Sequence, residues 1–81
     1  MKRLSLKEVQ NLLKEDANYF IQVNEFTRQI RLVRYNTGCF DEIIGYLTFN
    51  QFIKIDLIFG LVEFPINSVM FDYYTLETEV K

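Results

Sequence analysis

Apolar residues near the start of the chain recur at helical spacing. The apolar positions of this repeat are Leu6, Val9, Leu12, Leu13 and Ala17. Residues three or four apart lie on one face of a helix, and the residues between them are polar. Ser5 and Glu8 fit the capping box S-x-x-E, in which each side chain accepts a hydrogen bond from the other residue's backbone N–H. The pattern predicts an amphipathic helix over residues 6–17.

After this helix, residues 19–80 carry the pattern of a β-rich region. Their apolar residues are mostly aromatic or β-branched, which favours a pleated, half-buried surface. Residues 19–23, 40–49 and 69–80 are predicted strands, the last with alternating faces. The glycine at position 45 indicates a bulge or a close backbone approach within its strand.

Two shorter signals place the ends of strands. Pro65 limits a strand at residues 61–64 to an edge or an end of the sheet, because proline lacks the backbone N–H. Asn36-Thr37-Gly38 predicts a turn, because Asn and Gly tolerate positive φ. Cys39 follows that turn, and we interpret it as a small, inert side chain.

Two segments fit either a strand or a helix. Residues 27–35 form a strand after a turn at Asn24-Glu25, or else Asn24 caps a helix; we favour the strand. Residues 53–57 alternate strictly between apolar and charged, which favours a strand after a turn at Asn50-Gln51. The competing helix would use Thr48 and Gln51 as a capping box and end at Gly60. Its buried side would comprise Phe49, Phe52, Ile53 and Leu57.

The predicted fold class is therefore α+β, in a single domain that spans residues 1–81. One N-terminal amphipathic helix packs on an antiparallel sheet, or a small open barrel, of about four to six strands. The chain has 81 residues, of which 49% are hydrophobic. A domain this small has little interior, so its core must be dense or shared with a partner.

Large apolar side chains are more numerous than a two-layer domain of this size easily covers. Thirteen of them are aromatic, eight Phe and five Tyr. The large apolar residues of the C-terminal part are Phe59, Phe64, Met70, Phe71, Tyr73 and Tyr74. Protein interfaces are enriched in Tyr, Phe, Met and Arg, so any of these residues left exposed would mark a partner surface.

The residue types exclude several chemistries. The chain has no histidine, which removes the commonest general base and every Ser-His or Cys-His nucleophile pair. With one cysteine, the chain cannot assemble a structural zinc site by itself. Carboxylates are the remaining candidates for acid–base catalysis. We interpret Asp56, Glu63 and Asp72 instead as outward-facing strand residues. We predict no catalytic residues, no cofactor and no metal.

Charge is unevenly divided along the chain. The net charge is −2. Residues 1–40 carry seven cationic and four acidic side chains, whereas residues 41–81 carry two cationic and seven acidic ones. Within the first part, Arg28, Arg31, Arg34 and Tyr35 combine cations with an aromatic ring. Proteins that bind single-stranded nucleic acid use this combination for phosphates and bases.

These observations predict a non-enzymatic protein–protein interaction module, such as a small self-associating regulator or inhibitor. The alternative is a weak single-stranded nucleic-acid binder. The candidate interaction residues are Arg28, Arg31, Arg34, Tyr35, Phe71 and Tyr73. No signal peptide is predicted, because Lys7 and Glu8 interrupt the first apolar run. No membrane segment is predicted, because the longest apolar region contains Lys54, Asp56 and Glu63. We therefore expect a cytoplasmic protein that acts on a protein partner or on a second copy of itself.

Overall fold

The computed structural model describes residues 2–35, 42–64 and 69–77. Within these residues, two helices pack on a five-stranded antiparallel sheet, which confirms the predicted α+β class. The helices are α1 (Leu6–Glu15) and α2 (Phe49–Phe59). The strands are β1 (Tyr19–Asn24), β2 (Ile30–Arg34), β3 (Glu42–Leu47), β4 (Leu61–Phe64) and β5 (Phe71–Leu76). Their order across the sheet is β3-β2-β1-β5-β4.

Helix α1 begins at the predicted capping box. The Glu8 backbone N–H donates to Ser5 Oγ at 3.1 Å, and the Ser5 N–H donates to Glu8 Oε1 at 2.9 Å. The helix buries Val9 and Leu13. It ends at Glu15, two residues earlier than predicted. The predicted amphipathic helix is confirmed.

The strand favoured for residues 53–57 is wrong. This segment lies in helix α2, which is capped by Thr48 and Gly60 as in the competing interpretation. The Gln51 N–H donates to Thr48 Oγ1 at 3.1 Å, and the Thr48 N–H donates to Gln51 Oε1 at 2.8 Å. Gly60, with φ of +80°, ends the helix by donating its N–H to the Asp56 carbonyl. These terminal signals outweigh an alternation that covers only five residues.

The side of α2 that packs inward also differs from the competing prediction. Ile55 is fully buried and Phe52 is half-buried, both against the core. Phe49, Ile53 and Leu57, which were expected to be buried, are exposed. The buried side of α2 is therefore narrower than its apolar composition implies.

Residues 24–35 form the turn and strand that were favoured. Asn24 does not cap a helix; its Oδ1 accepts the backbone N–H groups of Phe26 and Thr27 at 2.8 and 2.9 Å, which tightens the turn between β1 and β2. Arg28 completes this turn with a φ of +64°, a left-handed conformation that is uncommon for residues other than glycine.

Gly45 shows both of the features that its position suggested. The pairing of β2 with β3 shifts register between Leu32 and Val33, opposite Gly45. The Leu4 side chain lies directly over Gly45, because an ideal Cβ built there would lie 2.6 Å from Leu4 Cγ. Residues 2–4 also bond to β3: the Leu4 N–H donates to the Tyr46 carbonyl at 3.0 Å, and the Tyr46 N–H donates to the Lys2 carbonyl at 2.9 Å.

The C-terminal strands also follow the sequence. Strand β4 lies at an edge of the sheet, as predicted for the strand before Pro65. Strand β5 lies within the predicted segment 69–80. The predicted turn at Asn36-Thr37-Gly38 and the prediction for Cys39 lie outside the described residues.

The sheet has a different hydrophobic cluster on each face. The larger cluster includes Val9 and Leu13 of α1 and Ile55 of α2, so both helices cover this face. The smaller cluster contains Phe20, Val33 and Tyr73 and includes no residue of either helix. Neither helix is long and apolar enough to cross a membrane, within the part of the chain that the structure describes.

Candidate interaction surface

The face of the sheet opposite the helices is the strongest candidate for a functional surface. We call it the open face, and define it by residues whose clusters, ring contacts or strand register place them there. These residues are Phe20, Gln22, Asn24, Arg31, Val33, Tyr35, Ile43, Tyr46, Val62, Phe64, Phe71, Tyr73 and Thr75. They come from all five strands, so the surface depends on the complete sheet.

Aromatic rings form the centre of the open face. The Phe20 ring lies 6.2 Å from that of Tyr73 and 6.4 Å from that of Tyr35, both edge-on, and 4.9 Å from that of Phe64. Edge-to-face pairs of this kind add stabilisation beyond the area they bury. These rings bury Phe20 and Val33 without help from a helix. The centre of this face is therefore closely packed.

A polar network crosses the aromatic cluster. The Gln22 side chain, only 1% exposed, donates Nε2–H to the Tyr73 hydroxyl at 2.9 Å. Its Oε1 accepts a hydrogen bond from Arg31 Nε. The Arg31 guanidinium also lies 5.3 Å from the centre of the Phe71 ring, a cation–π contact. Gln22 and Phe71 together hold the charge of Arg31 in a fixed place.

The strands place acidic side chains away from the open face. Asp72 is paired with Val23, and Glu63 is paired with Tyr74. Because Val23 and Tyr74 pack against the helix-covered cluster, the two acids lie on that face of the sheet. Glu42 is paired with Arg34, which also lies on the helix-covered side. The charged member of the open face is thus a cation, although the chain is acidic overall.

Exposed apolar side chains surround the packed centre. Ile43 on β3 is 43% exposed, and Val62 and Phe64 on β4 are exposed to a similar degree. Phe71 and Tyr35 are half-buried. Apolar surface therefore extends from one edge strand of the sheet to the other.

The structure separates the six predicted interaction residues into two groups. Four of them lie together on the open face: Arg31, Tyr35, Phe71 and Tyr73. Arg34 lies on the other face, where its Nε is 3.7 Å from Asp16 Oδ2. Arg28 lies in the turn between β1 and β2. The basic–aromatic cluster seen in the sequence is therefore not a single surface.

Glu63 and Asp72, two of the carboxylates discussed in the sequence analysis, lie close to Glu25, which the sequence did not single out. A hydrogen bond with Asp72 raises the pKa of Glu25, and the charges of Asp72 and Glu63 raise it further. Burial raises the pKa of the Tyr74 hydroxyl beside them, and the charge of Asp72 adds to this shift. Asp56 serves a different purpose, since its Oδ1 accepts the Leu61 N–H at 2.9 Å.

These acids do not make a metal site. Among the residues that the structure describes, no group of three or more His, Cys, Asp or Glu side chains is placed to hold a metal ion. Glu25 is exposed to solvent, and its pKa is raised mainly by the hydrogen bond with Asp72 and then by the charge of Asp72, rather than by a dry pocket.

The exposed side of α2 is a second apolar surface, which the sequence did not reveal. Phe49, Ile53 and Leu57 are spaced four residues apart, and Leu57 is 79% exposed. Ile58 beside them is also exposed. The capping box and Gly60 are the sequence signals that would have found this surface, because a helix over residues 49–59 has more apolar residues than one buried side can hold.

Comparison with known proteins does not assign this chain to a family. No protein family model, no curated protein and no solved structure matches this chain.

Proposed function

We propose that this protein is a non-enzymatic interaction module that binds another protein through the open face. The observation that carries the proposal is an aromatic sheet surface that neither helix covers, with exposed Ile43, Val62 and Phe64 around a packed centre. Contiguous exposed apolar patches of about 300–600 Å² on small proteins are often functional.

The charge of the open face favours a partner that presents carboxylates within an apolar surface. Arg31 is held by Gln22 and by the ring of Phe71, and the acidic residues of the strands lie on the opposite face. A carboxylate docked on Arg31 gains a charge-assisted hydrogen bond in a place that the aromatic side chains shield from water.

The same charge disfavours a second copy as the occupant. Face-to-face association of two copies would bring two Arg31 side chains into one apolar interface without an acidic strand residue to oppose either. Like charges brought together at an interface cost several kcal/mol. A different, acidic protein therefore fits this surface better than self-association does.

Single-stranded nucleic acid is the second candidate function. The observation in its favour is Arg31 beside Tyr35 and Phe71 on a sheet face, since such surfaces bind phosphates and stack bases. Two arrangements weaken this alternative. Arg34 is paired with Asp16 on the opposite face, and the Arg31 guanidinium already lies over the Phe71 ring.

The test is capture of a partner by the tagged protein, followed by direct binding measurements with that partner in purified form. We expect Ile43→Asp to weaken binding by about tenfold or more, because it places a negative charge in the interface and repels an acidic partner. Arg31→Gln should reduce the salt dependence of the association rate.

Ile53→Asp is the matched control. It makes the same change at an isoleucine of similar exposure on the opposite layer, so it should leave binding unchanged. The proposal fails if Ile53→Asp abolishes binding and Ile43→Asp does not. Capture that disappears on nuclease treatment would favour the nucleic-acid alternative. Light scattering that shows a dimer disrupted by Ile43→Asp would replace the acidic partner with a second copy.

A further inference from the structure

A basic cavity is present among the described residues, and one of its lining residues, Tyr46, is paired with Arg31 of the open face. Its volume is about 370 Å³, and it lies where β2 begins and β3 leads into α2. Three cationic residues line it: Lys2, Arg3 and Arg28. Its walls include the aromatic residues Tyr46 and Phe49. We call this space the basic cavity.

One of the three cations forms a close ion pair with a carboxylate of the described residues. Lys2 Nζ lies 3.5 Å from Glu8 Oε2, in an exposed pair. Within the described part of the chain, neither Arg3 nor Arg28 lies within 4.0 Å of an acidic group. Helix α2 begins at Phe49 on the cavity wall, and the N-terminal end of a helix also favours an anion.

The backbone of Arg28 gives a second, independent observation. Its φ of +64° is a conformation in which a glycine would be unstrained. The Arg28 N–H donates to the Asn24 carbonyl at 2.8 Å, so the turn itself needs only a backbone at this position. Strained residues often mark functional sites. The chain accepts this strain at a residue that lines the basic cavity.

We propose that the basic cavity binds the phosphate group of a small phosphorylated molecule. A phosphate monoester carries nearly two negative charges and offers oxygens in several directions, which suits three cationic side chains better than a single carboxylate does. A neighbouring cavity of about 250 Å³ shares Arg28 and Phe49 but contains Glu25 and Asp72, which repel an anion. The phosphate is therefore confined to the side of Arg28 that faces Lys2 and Arg3.

The experiment is NMR titration of the ¹⁵N-labelled full chain with inorganic phosphate, AMP and adenosine, with sodium chloride at matched ionic strength as the reference. The backbone signals of Gln29 and Leu47, which line the cavity, should shift with phosphate and with AMP but not with adenosine. Tighter binding of AMP than of inorganic phosphate would indicate that the aromatic walls contact a ring of the ligand. Equal binding would assign the site to phosphate alone.

Arg28→Gly separates binding from folding, because the two effects have opposite signs. Glycine relieves the left-handed backbone, so the melting temperature should rise, while phosphate affinity should fall by about tenfold or more. Arg3→Gln should lower the affinity similarly. Lys14→Gln is the control for lost charge: it removes a cation from the far end of α1 and should change affinity by less than about twofold.

Three results would overturn the proposal. One is the absence of phosphate-dependent shifts beyond those caused by sodium chloride. Another is unchanged phosphate affinity in Arg28→Gly. The third is an equal loss in Lys14→Gln and Arg3→Gln, which would indicate attraction by net charge rather than a site.

Discussion

At the scale of single residues, Glu25 and Asp72 link the stability of the protein to pH. The hydrogen bond with Asp72 is the main cause of the raised pKa of Glu25, and the charge of Asp72 adds to it. A raised pKa in the folded state means that the protonated form of Glu25 stabilises the fold. That contribution is fully present below the ordinary pKa of glutamate and is lost as pH rises through the pKa of the folded state.

We therefore expect Glu25→Gln to raise the melting temperature at pH 7, where it removes the repulsion. The difference from the original protein should shrink as the pH falls and vanish below about pH 4, where Glu25 is protonated in both folded and unfolded states. Thermal unfolding followed by circular dichroism across this pH range measures the difference in melting temperature. In an Asp72→Asn background the effect should be much smaller; an equal gain there would show that Asp72 is not the cause.

At the scale of elements, the sequence of α2 fits both a strand pattern and a helix pattern, and burial distinguishes between them. A strand would place Ile55 and Leu57 on the same face, whereas the helix buries Ile55 and leaves Leu57 exposed. We expect Ile55→Ala to lower the free energy of unfolding by about 2–5 kcal/mol, because it opens a cavity in the core. Leu57→Ala should change it by less than about 0.5 kcal/mol. Urea unfolding measures both, and similar losses would contradict the helix.

The same helix explains where sequence analysis reached its limit. Helix α1 was predictable because its capping box agrees with its single apolar side. In α2 the caps were visible, but exposed Phe49, Ile53 and Leu57 obscured the helical period. A helix with apolar residues toward solvent resembles an alternating strand over a short stretch.

Assembly of the open face depends on contacts that local patterns do not encode. Gln22 and Arg31 meet across a hairpin that the sequence predicted. Tyr73 reaches Gln22 from 51 residues away along the chain, because β5 pairs with β1. No period or motif specifies that long-range pairing. The sequence therefore indicated Arg31, Tyr35, Phe71 and Tyr73, but neither the other residues of the surface nor their arrangement.

At the scale of the whole molecule, stability should be highest at the centre of the sheet. Strand β1 pairs on both sides, with β2 and with β5. Strand β4 pairs only with β5 among the described strands. In native-state hydrogen exchange we expect the β1 amides to exchange only on global unfolding, and the β4 amides to exchange at least about a hundredfold faster through local opening. Equal protection of both strands would indicate that another segment covers β4.

The position of β5 between β1 and β4 has a consequence for synthesis on the ribosome. Strands β1 to β3 emerge first and can pair at once, but one side of β1 then lacks its partner until β5 follows. At 5–20 residues per second, the 24 residues from the end of β3 to the start of β5 take on the order of a few seconds. During that interval the nascent chain presents an unpaired strand edge and the unassembled aromatic residues beside it. This is the stage at which a chaperone would contribute most to the yield of folded protein.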